Sequence, residues 1–381
     1  MRKKLAIMSL CFTTLMYMVL TVAVAGLLAA FPNVPESRVM LVLTLPNLTA
    51  IAGILLVPLV APWLSDRALS LLSLVLLIAG GGLCMLFHDS LSVLLLAAAV
   101  MGVAYGVIST LYPMLVNTHY TGEERLTVMG LCAAMLQGGR LVTYLIGGYL
   151  AKLHWYDVYY TYIFAVIALI LVALYLPKTQ PASQKKGGGR DTGSFRSAGV
   201  WRLSFFATAY ACLYFVLSTD GSVYIEGGGL GTAALTGWLS SLSCAVAGVS
   251  AALYGKISRR TGRATFPIAF LLIGVGYLFA GLQVSVLGAA VAFFAGALGI
   301  SLFTPWLMTA ISDAAGQADA PVATAIVLTC VNVGYFISPY LSAPLARLLG
   351  GGSPMAFAAF GVLSLLFGAA AALQCRRHEP I

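Results

Sequence analysis

The chain has 381 residues, of which 60% are hydrophobic and only 9% charged, with a formal net charge of +9. An ordinary soluble domain carries about 25% charged residues, and 21 basic plus 12 acidic side chains cannot cover a soluble protein of this length. Nucleic-acid binding, a secreted disulfide scaffold and intrinsic disorder are therefore set aside in favour of a membrane protein, and a spanning helix of about 20 residues leaves room for roughly twelve.

The chain opens on Met1-Arg2-Lys3-Lys4 and an apolar run to Phe31. That run is too long for the apolar core of a secretory signal, which takes about 7–15 residues, so a retained first helix is expected. Apolar runs follow in order at 5–31, 39–63, 69–87, 91–116, 126–150, 157–176, 201–222, 232–254, 264–282, 285–310, 322–346 and 354–374. Each is long and poor in charge. Pro46, Pro58, Pro113, Pro305 and Pro339 fall inside runs, as membrane helices tolerate. Between the sixth and seventh runs lies Lys178 to Arg196, rich in glycine and charge, the composition of a flexible linker. The expected organisation is an N-terminal six-helix bundle over 1–177, a linker over 178–200 and a C-terminal six-helix bundle over 201–381.

Lys and Arg set the orientation. With the N-terminus in the cytoplasm, seventeen of the 21 basic residues fall on inside segments, and Arg38, Lys152 and Arg347 fall outside. The one remaining, Arg140, lies in the middle of a run. The basic balance is thus a topology signal, and both termini inside agrees with an even number of spans. The seven cysteines are scattered, and no two form a C-x-x-C, so neither a disulfide framework nor a metal site is expected. The four histidines lie near span ends.

The halves repeat. At an offset of 195, Gln137 meets Asn332, Gly139 meets Gly334, and Ala151-Lys152-Leu153 meets Ala346-Arg347-Leu348. At 193, Ser65-Asp66-Arg67 meets Ser258-Arg259-Arg260, and at 192 Pro113-Met114-Leu115 meets Pro305-Trp306-Leu307. Matched positions that include polar residues point to two related six-helix repeats.

With these features the chain resembles the major facilitator superfamily of secondary transporters. That family's loop pattern G-x-L-x-D-R-x-G-R is partly kept at Gly255-Lys256-Ile257-Ser258-Arg259-Arg260-Thr261-Gly262-Arg263, and more weakly at Leu64-Ser65-Asp66-Arg67. Its exporter pattern on helix 5, G-x8-G-x3-G-P-x2-G-G, is matched by Gly130, Gly139, Gly147 and Gly148, but Thr143-Tyr144 replaces Gly-Pro. The resemblance implies an all-α fold of twelve helices in two pseudo-symmetric bundles, and a cavity lined by helices 1, 4, 7 and 10. Their polar faces here are Thr14, Tyr17 and Thr21; Tyr105, Ser109 and Tyr112; Tyr210, Tyr214 and Ser218; Ser301 and Thr304.

An Arg near the centre of a span costs at least about 2.5–3.5 kcal/mol. Gln137, Arg140 and Tyr144 share one helix face, matched on the eleventh run by Asn332, Tyr335 and Pro339. Arg140 is read either as a contact for an anionic or polar substrate group or as a structural Arg held by carbonyls or a carboxylate. Asp66, Arg67 and Arg260 are candidates for a gate at the cytoplasmic ends, or serve orientation alone. Asp220 closes the seventh run after Tyr210, Tyr214 and Ser218. It is a candidate protonatable coupling group, with a loop-cap role as the alternative. The first and fourth runs hold no acid, which counts against proton coupling of the family's usual kind. Protons remain a candidate coupling ion.

No P-loop, G-x-G-x-x-G, H-E-x-x-H or G-x-S-x-G occurs, so neither an enzyme nor a cofactor is expected. The expectation is a monomeric secondary or facilitative transporter of the inner membrane, moving a small organic solute by alternating access, with export favoured. Import of a small organic anion or metabolite by symport or uniport, and a non-transporting solute sensor, are the alternatives.

Overall fold

A computed structural model describes residues 2–61, 63–177, 198–350 and 352–376. Among the described residues the chain is helical throughout, with no strand. The first six long helices are α1 (Arg2–Ala30), α2 (Leu41–Val60), α3 (Asp66–Leu86), α4 (Leu91–His119), α5 (Gly122–Leu150) and α6 (Trp155–Tyr175). The next are α7 (Ala198–Gly227), α8 (Ala233–Thr261) and α9 (Thr265–Leu282). The last are α10 (Val286–Ala315), α11 (Ala323–Ser342) and α12 (Gly352–Arg376).

Ten stretches of the described residues are long and apolar enough to cross a membrane. The expected twelve runs map onto these ten with two adjustments. One stretch, Ala233–Leu282, contains both α8 and α9, which meet at Gly262 with φ 53°. Leu41–Val57 in α2 is apolar but shorter. Large apolar side chains such as Leu59, Leu174 and Leu366 stand more than half exposed on these helices, and a surface of that kind is matched by lipid rather than water.

Helical backbone continues from Val286 to Leu348, yet this stretch doubles back. Tyr210 stacks on Phe303 at 3.8 Å, and Leu217 lies against Gly296. Thr208 donates to the Cys330 carbonyl (3.0 Å) and Ser338 to the Cys212 carbonyl (2.9 Å). A straight helix would part residues 296 and 330 by about 50 Å, whereas 208 and 217 are only about 14 Å apart along α7. Moving up α7, contacts descend α10 and ascend α11, so the two run in opposite directions.

The chain divides into two compact units, Met1–Gly187 and Gly188–Ile381. The expected linker lies outside the described residues except for 198–200, which already belong to α7.

In the first unit, glycines set the helix spacing. A Cβ on Gly102 or Gly106 of α4 would overlap the backbone of Pro46 or Ala50 on α2, and one on Gly53 would overlap the Val103 carbonyl. Gly139 of α5 meets the Phe12 carbonyl of α1 in the same way, and Gly147 meets Val19 at 2.6 Å. In the second unit Gly334 of α11 meets the Thr208 carbonyl of α7. The fifth helix of each unit thus rests a glycine on the first, and these are the two glycines matched at offset 195. The match at 193 has no such counterpart: Ser65-Asp66-Arg67 opens α3, whereas Ser258-Arg259-Arg260 closes α8. The second unit's core is aromatic, with Phe206, Tyr210, Phe266, Phe270 and Phe303 buried together.

The seventh run was expected to end near Asp220. Instead α7 runs on to Gly227, because Tyr224 and Ile225 are buried and the Tyr224 hydroxyl donates to the Ala280 carbonyl at 2.8 Å. The stop comes at Gly229 (φ 65°), with the Leu230 amide returning to the Ile225 carbonyl, as in glycine-capped helix ends.

Candidate functional site

In the first unit, α1 is not one regular helix. Its α-helical part ends at Thr13, a 3-10 segment runs over Met16–Ala23, and α-helix resumes at Val24. A 3-10 stretch inside a long helix often marks a hinge or a functional position. Tyr17 sits on it and donates to Asn47 Oδ1 of α2 at 2.8 Å. The Tyr17 ring lies 4.8 Å from that of Tyr105 on α4, and Tyr105 lies within the field of Arg140. On α5, Arg140 Nη2 donates to the Tyr144 hydroxyl one turn on (3.2 Å), with its guanidinium 5.3 Å from that ring's centre. Arg140 and Gln137 are half-buried.

Arg140, Tyr105 and Tyr17, expected from three separate runs, thus form one polar line across α5, α4 and α1, and Asn47 extends it to α2. Asn47 was missed by sequence reasoning. Its signal was an amide inside an apolar run, next to Pro46. It is fully buried, and its Nδ2 has no hydrogen-bond partner among the described residues. Native proteins seldom leave such a group unmatched.

At the other end of this unit, Ser65 caps α3 by accepting from the Ala68 amide at 3.2 Å. Asp66 stands in the first turn, where the helix dipole favours a carboxylate, within electrostatic reach of His119. Arg67 donates through Nη2 to the Ala173 carbonyl in the last turn of α6. Here Arg67 ties the start of α3 to the end of α6. Arg67→Gln should lower thermal stability by about 1 kcal/mol, the scale of a cation at a helix C-terminus, read as a reduced Tm in detergent.

In the second unit, Asn332 of α11 is buried, donates to its own Leu328 carbonyl (2.9 Å), and keeps Oδ1 without a partner among the described residues. Tyr210 lies in the aromatic core, fully buried between Phe303 and Phe270, not on an open face. Tyr214 is half-buried and Thr304 exposed. Arg260 is exposed in the last turn of α8.

Asp220 corrects the expectation of a span-end acid. It lies two turns inside α7, is 4% exposed, and accepts from Thr219 Oγ1 at 2.8 Å. Two residues on, Ser222 donates to Glu226 at 2.7 Å. Among the described residues no group of three or more His, Cys, Asp or Glu is placed to hold a metal.

Apolar spanning helices in two units, with scarce polar side chains gathered inside them, define a multi-pass integral membrane protein. Residues 5–339 match the Major Facilitator Superfamily, and the chain belongs to that family of membrane transporters. Among solved structures it is similar to a POT family transporter in complex with a thioalcohol-conjugated peptide, at TM-score 0.79 and 14% identity over 99% of this chain and 96% of that one. It is also similar to the nucleoside transporter NupG, at TM-score 0.79 and 11% identity over the whole of both chains. A POT family transporter in complex with 5-aminolevulinic acid aligns at TM-score 0.75 and 14% identity over 99% and 96%. At such identities the likeness is one of fold. No curated protein sequence matches the chain.

Proposed function

We propose that the protein carries a small organic solute across the cytoplasmic membrane by alternating access, as a secondary or facilitative transporter with both termini in the cytoplasm. The observation that carries this reading is Arg140. A guanidinium kept inside a span at such a cost, bonded to Tyr144 and with Tyr105 in its field, has the chemistry of a face that binds an anionic or strongly polar group. Gln137 shares that face, and Asn332, Tyr214 and Thr304 are the polar candidates carried by the second unit itself. A thermal-shift screen of purified protein against metabolites and drugs, then proteoliposome flux of the best hit, tests it. Binding without flux overturns transport and leaves a solute sensor.

Asp220 is the coupling group in this proposal, because a carboxyl buried in a span is an exchange site for a proton. Asp220→Asn should leave exchange of the solute intact while flux ceases to respond to an imposed pH gradient. A retained response removes Asp220 from coupling.

Outward transport is favoured by the glycines shared with the exporter pattern. Import of an organic anion is the second reading. It gains from the contacts of Gly139 and Gly147 with α1, which account for those two glycines by packing alone. Flux with opposite solute gradients in oriented vesicles decides.

A further inference from the structure

Lys256, Arg259, Arg260 and Arg263 follow one another at i, i+3, i+4 and i+7, the spacing of a single helix face. All four are exposed at the end of α8 and in the turn after it. Between Glu226 and Asp313 the sequence has no Asp or Glu, and Asp313 is exposed on α10. Lys256, Arg259 and Arg260 form no ion pair among the described residues. The first unit treats its loop-motif arginine differently, binding Arg67 to the Ala173 carbonyl.

The same side of α8 carries a second feature. Leu242, Val249 and Leu253 are 45%, 63% and 44% exposed, and they fall in register with Lys256 and Arg260 along the helix. An apolar stripe open to lipid therefore runs directly into a stripe of cations. Orientation by the positive-inside rule needs only that the charges lie on the cytoplasmic side. It does not require them on one face, beyond exposed apolar side chains.

We propose that this end of α8 binds the headgroup of an anionic phospholipid, with an acyl chain lying along Leu242, Val249 and Leu253. Charge complementarity selects the occupant: Lys256, Arg259 and Arg260, in no ion pair among the described residues, match a phosphodiester headgroup of net negative charge. Basic residues beside a membrane each strengthen such binding roughly fivefold. The site is independent of the transported solute.

The test uses full-length purified protein and native mass spectrometry, with thermal shift in parallel. The probes are cardiolipin and phosphatidylcholine. The expected result is a retained cardiolipin adduct and a stabilisation that phosphatidylcholine does not give. Arg259→Gln/Arg260→Gln should weaken cardiolipin binding by roughly 25-fold, whereas Lys3→Gln/Lys4→Gln, which removes the same charge from α1, should leave it unchanged. Lys256→Gln alone, the milder variant should the double one misfold, should show about a fivefold loss. Equal binding of phosphatidylcholine, an equal loss in the α1 variant, or no loss in any α8 variant overturns the proposal. So does full stabilisation by inorganic phosphate alone.

Discussion

Replacing Arg140 with Ala is expected to reduce transport at least about tenfold while the protein still inserts and purifies as the wild type does. A hydrogen bond to a charged group contributes about 1.5–3 kcal/mol, which converts to roughly 10- to 150-fold in affinity. Arg140 is half-buried and makes its side-chain bond to the Tyr144 hydroxyl on its own helix. That bond lies within α5, so protein level and Tm are read beside flux. Removing a cation from a span also makes insertion easier. The fold therefore should not suffer, and loss of flux would report on binding. Arg140→Lys keeps the charge without the planar fork, and is expected to fall between the two. Proteoliposome flux of the solute found by thermal shift is the measurement. Normal flux in Arg140→Ala at normal protein level returns Arg140 to a structural role. The neighbouring Asn47→Ala should lower affinity less, because it removes a neutral donor and leaves the Tyr17 hydroxyl to find another acceptor.

The spanning helices were legible because a bilayer leaves a coarse mark: long apolar runs separated by short polar or breaker stretches. The rare polar residues inside runs were legible too: Tyr105 lies against Tyr17 and within the field of Arg140. Other features were hidden by the same apolar composition. In a soluble helix the polar face shows which side is buried, but a spanning helix is apolar on both its lipid and its protein sides. Nothing in the seventh run distinguished Asp220-Gly221 as an end from Asp220-Gly221 inside a helix, and burial of Tyr224 and Ile225 decided the matter. Tyr210, Tyr214 and Ser218 looked like one polar stripe, yet the aromatic rings of α9 and α10 took Tyr210 into the core. The second copy of the loop motif turned out to be mostly helix, since Gly255 to Arg260 extend α8 and only the Gly262 turn breaks it. Gly102-Val103-Ala104-Tyr105-Gly106 passed unremarked, although its glycines fix the distance between α2 and α4.

Those glycines carry the largest expected effect on stability. At Gly106 a Cβ would run into the Ala50 carbonyl and sit 2.9 Å from its carbon and 3.0 Å from Ala50 Cα. Backbone atoms cannot rotate aside as a side chain can, so α2 and α4 must separate. Gly53 faces the Val103 carbonyl from the opposite helix, and the seam is closed from both sides. In a membrane, where lipid is as apolar as a leucine, close packing is a main source of helix association. Gly106→Val is therefore expected to destabilise by about 3 kcal/mol, the upper range for overpacking, with a clear fall in Tm. Gly130 and Gly138 of α5 have nothing within 4 Å of an added Cβ. Changing either to Ala should leave Tm equal or raise it, since Gly in a helix interior costs up to about 1 kcal/mol relative to Ala. Scanning fluorimetry of the three variants in one detergent makes the comparison. Equal effects at Gly106 and Gly130 would show that α2 and α4 are not in close contact in the membrane. The Gly106 variant should also lose transport beyond its loss of stability. Tyr105 stands between the two glycines, and through Tyr17 it connects to Asn47 on α2, so parting α2 from α4 pulls the polar line apart.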